Sequence, residues 1–150
     1  MLIEAATDNK QRTVSAIKNI LDHSGGVLAG SGAVSYLFDY VGELRIPSAK
    51  INYDEVLTKA IEAGGENLEE EGEHYVIYTK PAELNKVKQE IIATGLTVSS
   101  AELLFKPKSY VEIDEAAQAK KIIALVSALE EEDDVQHVYA NFNIPDALLE

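Results

Sequence analysis

Residues 42–108 read GELRIPSAKINYDEVLTKAIEAGGENLEEEGEHYVIYTKPAELNKVKQEIIATGLTVSSAELLFKPK, and this stretch supplies its own punctuation. Glu43-Leu44-Arg45-Ile46 predicts a short strand stopped by Pro47, which has no N–H to give to a ladder. Asn52 and Glu55 stand at capping-box spacing ahead of Val56, Leu57, Ala60 and Ile61. Those four recur on one helical face, and Gly64-Gly65 ends the helix. Residues 66–70 and 74–79 predict two strands around a turn at Glu71-Gly72. Thr79 as cap and Pro81 near the first position open a second helix, with Leu84, Val87 and Ile91 inward and Gly95 as its stop. Residues 97–105 close the block as a strand. The order is strand, helix, strand, strand, helix, strand, which is the ferredoxin-like, split βαβ unit.

The flanks hold two halves of the same pattern. Residues 2–7 predict a strand, with Thr7 or Asp8 capping a helix whose apolar face is Val14, Ile17, Ile20 and Leu21. Gly25-Gly26 ends that helix, and Val34, Tyr36 and Phe38 alternate as a strand does. Beyond Pro107, residues 110–113 predict a strand and Asp114 a cap. Ala119, Ile122, Ile123, Val126 and Leu129 then mark an amphipathic helix. Val135, Val138, Ala140 and Phe142 belong to a last strand that stops at Pro145. Either flank alone offers too little apolar surface for a core, whereas together they make one more unit. The expected fold class is therefore α+β, two ferredoxin-like βαββαβ units with one inserted into the other. Residues 1–41 plus 109–150 form the split outer domain and 42–108 the inserted one, so residues 40–42 and 106–108 are expected side by side.

Bulk composition narrows the function. The 150 residues contain no cysteine, which excludes disulfides, thiolate metal sites and a cysteine nucleophile and favours a reducing compartment. No apolar run approaches the length of a membrane span, and residues 1–4 lack a signal peptide's basic start, so no membrane partner is expected. The formal charge is −13, distributed as −1 over residues 1–41, −4 over 42–108 and −8 over 109–150. Such a surface repels phosphate backbones, so nucleic-acid binding by these residues alone is expected to be weak or absent.

Four constellations of residues bear on chemistry. Thr7-Asp8-Asn9-Lys10-Gln11-Arg12-Thr13 supports either an anion- or partner-binding helix start or a capped helix with two solvated cations, and such caps are the commoner case. The glycine-rich residues 25–32 follow a helix and open a strand, the reverse of a phosphate loop, so a structural turn is favoured. His23, His74 and His137 show no ligand spacing, and His23 suits a helix C-terminus. The acidic runs 69–71 and 130–134 lack a calcium-loop pattern and read as solvated surface. No catalytic set, metal site or cofactor is read from the chain. Lys10, Arg12 and Lys18 are the candidate partner-binding residues, the main basic cluster of the split domain outside Lys120-Lys121.

Several of these residues carry a family resemblance. Residues 7–13, the Gly25-Gly26 pair and Gly32-Ala33-Val34-Ser35-Tyr36-Leu37-Phe38 stand in the order and spacing of the YebC family. Val111-Glu112-Ile113-Asp114 and residues 128–142, from Ala128-Leu129-Glu130 through Asp134-Val135-Gln136-His137 to Phe142, resemble that family's closing segment. The resemblance covers essentially the whole chain. It implies three domains, the second interrupted by the third, in a cytoplasmic or mitochondrial protein of gene expression. Bacterial members are described as DNA-binding transcriptional regulators; others act on translation at the ribosome, including mitochondrial translational activators. The family's basic helical N-terminal domain is missing from these residues, so the expectation is a fragment or a short paralogue, with nucleic acid or ribosome as partner in the full-length context.

The primary expectation is thus a non-enzymatic, cytoplasmic regulatory factor of transcription, associated with DNA. A ribosome-associated translation factor and a small-molecule sensor built on paired ferredoxin-like units stand as alternatives. An acylphosphatase-type enzyme would need Arg12 and Asn9 at a phosphate-binding loop, and Arg12 lies one turn into a helix.

Overall fold

The computed structural model describes residues 1–149. The chain is a mixed α/β protein with four α-helices among the described residues. It divides into two compact units, Tyr40–Lys106 and Met1–Asp39 with Pro107–Glu150.

The inner unit contains β2 (Phe38–Pro47, which begins just ahead of it), α2 (Tyr53–Ala63), β3 (Asn67–Glu71), β4 (His74–Thr79), α3 (Leu84–Ala93) and β5 (Ser100–Pro107). Its strands form one sheet in the order β3-β4-β2-β5. β2 runs antiparallel to β4 from Gly42 opposite Thr79 to Pro47 opposite His74, and β3 pairs antiparallel with the far edge of β4. One face of this sheet meets both helices. Leu44, Ile46 and Ile77 from the strands and Val56, Val87 and Ile91 from the helices are fully buried there. The charged residues of the other face are matched among themselves: Arg45 Nε reaches Glu43 at 2.9 Å and Lys106 Nζ reaches Glu69 at 2.7 Å, lying over the Tyr78 ring.

Local chemistry explains the element ends. Asn52 caps α2 by accepting the Asp54 N–H at 2.8 Å, one position earlier than the capping-box spacing to Glu55 suggests. Gly64 ends α2 at φ +97°, in the left-handed region. Gly42 is required for a different reason: a side chain there would collide with Thr79 and Leu84. Thr79 does not cap α3. Its hydroxyl donates to Lys80 O, and a short 3-10 turn at Pro81–Glu83 leads into the helix. β2 is longer than the four-residue strand predicted, beginning at the buried Phe38 and running to Pro47.

The outer unit is built from β1 (Leu2–Ala5), α1 (Lys10–His23), β6 (Val111–Glu112), α4 (Ala116–Glu130), β7 (Val135–Tyr139) and β8 (Phe142–Asn143). β1 and β7 pair antiparallel, with Leu2 opposite Tyr139 and Ile3 opposite Val138. α1 and α4 cover one face of that pair through Ile17, Leu21 and Leu129, against Ile3, Val135 and Val138.

This unit departs from the predicted single four-stranded sheet. β6 and β8 form a separate parallel pair, so the last strand is two short strands rather than one. Residues 34–37 are not a strand either, and only Phe38 of the predicted strand is extended, as the first residue of β2. Ser35–Leu37 is a 3-10 turn, with Tyr36 68% exposed and Phe38 5%. The cause is local bonding. Ser35 N–H and Oγ both donate to Gly32 O, Leu37 N–H donates to Val34 O, and Gly32 sits at φ +77°. Past that turn, Lys108 N–H donates to Leu37 O at 2.9 Å, and in the inner unit the Tyr40 and Phe105 rings lie 4.8 Å apart. α4 is preceded by Glu115 at its cap position rather than Asp114, and no side chain caps it.

Candidate functional site

The first turn of α1 and the residue ahead of β7 meet in the outer unit. Asn9, not Thr7 or Asp8, is the helix cap: its Oδ1 accepts the Arg12 N–H at 3.1 Å. Thr7 and Asp8 are otherwise engaged. Thr7 Oγ1 accepts the Asn9 N–H at 3.0 Å, and Asp8 pairs with Arg12 at 3.0 Å. The carboxylate of Asp134 completes the arrangement, receiving Thr13 Oγ1 at 2.7 Å, Arg12 Nη2 at 3.1 Å and Thr7 Oγ1 at 3.3 Å. The backbone adds a further link, since Ala6 N–H donates to Asp134 O at 2.9 Å.

Hydrogen bonding from Thr13, then from Arg12, holds the Asp134 carboxyl below its ordinary range. The Asp134 and Asp8 carboxylates hold the Arg12 guanidinium in its charged form. Asp134 belongs to the acidic run that the sequence presents as solvated, yet its side chain is only 16% exposed. The arrangement is a buckle joining the two sequence halves of the outer unit.

The candidate residues Lys10, Arg12 and Lys18 all lie on α1 and are all exposed. They do not form one patch. At 100° per residue Lys10 and Arg12 point roughly 160° apart, and Lys18 lies about 12 Å further along the axis. Arg12 turns to Asp134, while Lys10 makes no ion pair among the described residues.

Lys10 instead stands on a groove of about 930 Å³. Its walls are the apolar side chains Ile3, Val14, Ile17 and Leu28, the alanines of residues 5–6, and the glycine-rich residues 29–31. A smaller hollow of about 400 Å³ lies under the same glycine-rich segment, against Leu21, Leu125 and Phe142. The segment therefore forms a wall between two hollows.

The histidines are apart from one another. His23 Nδ1 contacts Asn19 O at 2.7 Å at the end of α1, His74 begins β4, and His137 stacks on Tyr139. No group of three potential ligands comes together among the described residues. Asn9 and Arg12 serve the cap and the buckle, which leaves them poorly placed for acyl-phosphate chemistry. No helix among the described residues is long and apolar enough to cross a membrane.

Residues 1–142 match a family model described as the TACO1/YebC second and third domain. A "Probable transcriptional regulatory protein" of Aquifex aeolicus is 41% identical over 150 residues, covering all of this chain and 60% of that protein. A protein of the same description from Sulfurihydrogenibium sp. is 42% identical over 151 residues, again across 60% of its length. The crystal structure of a conserved hypothetical protein from Aquifex aeolicus superposes with a TM-score of 0.84 at 42% identity, over 99% of this chain and 61% of that one. The chain thus spans about three fifths of the relatives it matches.

Proposed function

The chain belongs to the TACO1/YebC family, and from that premise we propose that it is the second-and-third-domain part of a non-enzymatic, DNA-associated regulator of transcription working in the cytoplasm. The observation that supports this reading is the match over residues 1–142, together with relatives described as probable transcriptional regulatory proteins. The net charge of −13 sets the division of labour. These residues supply scaffold and partner contacts, through Lys10 and Lys18 on α1, and the grip on phosphates comes from elsewhere in the full-length context. Arg12 on the same helix stabilises the buckle.

We read the architecture as a nested pair of split βαβ units. The supports are the βαββαβ order and β3-β4-β2-β5 sheet of the inner unit and the antiparallel pairing of first and last long strands in the outer one.

The same charge favours a second reading, action on translation at the ribosome through basic protein surfaces rather than exposed DNA. One experiment separates them. The chain is joined to the N-terminal two fifths of the Aquifex relative and tested for duplex binding by fluorescence anisotropy and for co-sedimentation with ribosomes. The first reading predicts duplex binding that weakens steeply with salt. Ribosome association alone supports the second, and binding to neither refutes both.

A further inference from the structure

We propose that the free edge of β1, with the groove beside it, is a docking site for an extended peptide segment of another protein. The segment is uncharged and apolar along one face and carries a single carboxylate at the Lys10 end.

β1 pairs with β7 and with no other strand among the described residues, so its second edge presents backbone N–H and C=O groups with no ladder to join. An open strand edge is a template for an added strand. The groove lies on that side: β1 and α1 line it, and no residue of β7 or α4 does. Its volume of about 930 Å³ falls within the range typical of ligand sites, near about 300–1,000 Å³. Ile3, Val14, Ile17 and Leu28 offer apolar walls to alternate side chains of an incoming strand.

Charge selects the occupant. Lys10 is the only charged residue lining the groove and has no ion pair among the described residues. A carboxylate beside it is complemented. A polyacidic segment is repelled by the −13 chain, and a cation at that end meets a like charge. One acid on an otherwise neutral strand fits both conditions.

The test uses the 150-residue chain labelled with nitrogen-15 and the synthetic peptide acetyl-Asp-Val-Thr-Val-Ala-Val-amide, followed by amide shifts and hydrogen exchange. Saturable shifts and slowed exchange at residues 2–7 and 28–31 are expected. Methylating alternate peptide nitrogens on the edge-facing side abolishes binding, and Lys10→Glu weakens it by about tenfold, the size of one modest charge pair. Lys10→Met, which keeps the stem, falls between. No change at residues 2–7 with millimolar peptide overturns the proposal. Equal binding of the methylated peptide shows a groove without strand addition and overturns it too, as does indifference to Lys10→Glu. If the free chain dimerises through residues 2–7 in sedimentation, a second copy is the occupant and the peptide proposal fails.

Discussion

Thr13 Oγ1 donates to the Asp134 carboxylate across 2.7 Å, bridging 121 residues of sequence. Thr13 is 3% exposed, so this hydrogen bond is shielded from water on one side. Thr13→Val keeps the shape and removes the donor. It should cost about 1 kcal/mol, the usual net value of a hydrogen bond, and lower the melting temperature by about 2–4 °C. Because Thr13 and Asp134 share one interaction, Thr13→Val with Asp134→Ala should destabilise less than the sum of the single changes in a denaturant cycle.

The same carboxylate sets an acid response. Thr13 and Arg12 lower the folded-state pKa of Asp134 relative to the unfolded chain. Its contribution is therefore complete above the unfolded value of about 3.9 and is lost as pH falls through the lower folded value. Melting temperatures of the parent and Asp134→Asn should differ at neutral pH and converge below about pH 4. A gap that stays constant to the acid limit shows that the carboxylate charge has no part in the buckle.

Cations on α1 should divide by role. Arg12→Glu places a third acid beside Asp134 and Asp8 and should lower the melting temperature. Lys10→Glu and Lys18→Glu alter exposed positions and should leave stability within about 0.5 kcal/mol, while changing whatever partner α1 contacts. Thermal melts separate the classes before any binding assay.

In the inner unit, Gly42→Ala should destabilise by about 1–3 kcal/mol through overpacking, since the new methyl collides with Thr79 and Leu84. Ile77→Ala, at a fully buried position of the same core, should cost about 2–5 kcal/mol. Both are read from denaturant midpoints.

The inner unit was legible because its sequence signals are local. Asn52 caps, Gly64 takes a left-handed turn, and Leu44, Ile46 and Ile77 fill one sheet face, all from pattern and propensity. Residues 34–37 misled because alternation of Val34, Tyr36 and Phe38 imitates a strand, while Ser35 and Gly32 bind each other and wind a turn ahead of β2. Asp134 was hidden because an acidic run reads as solvated and its partners are distant in sequence. One signal could have exposed it: pairing the first strand antiparallel with the last places Ala5 opposite Val135 and brings Asp134 beside Ala6. Lys10 and Arg12 are two residues apart in sequence yet stand on nearly opposite sides of α1, so closeness in sequence does not make them one patch.

The regulatory role is tested most directly by sequencing transcripts and ribosome-protected fragments from cells with and without the intact gene. A restricted set of transcripts is expected to change in abundance, return on complementation, and keep its ribosome occupancy per transcript. Unaltered transcript levels, with or without altered ribosome occupancy, would contradict it.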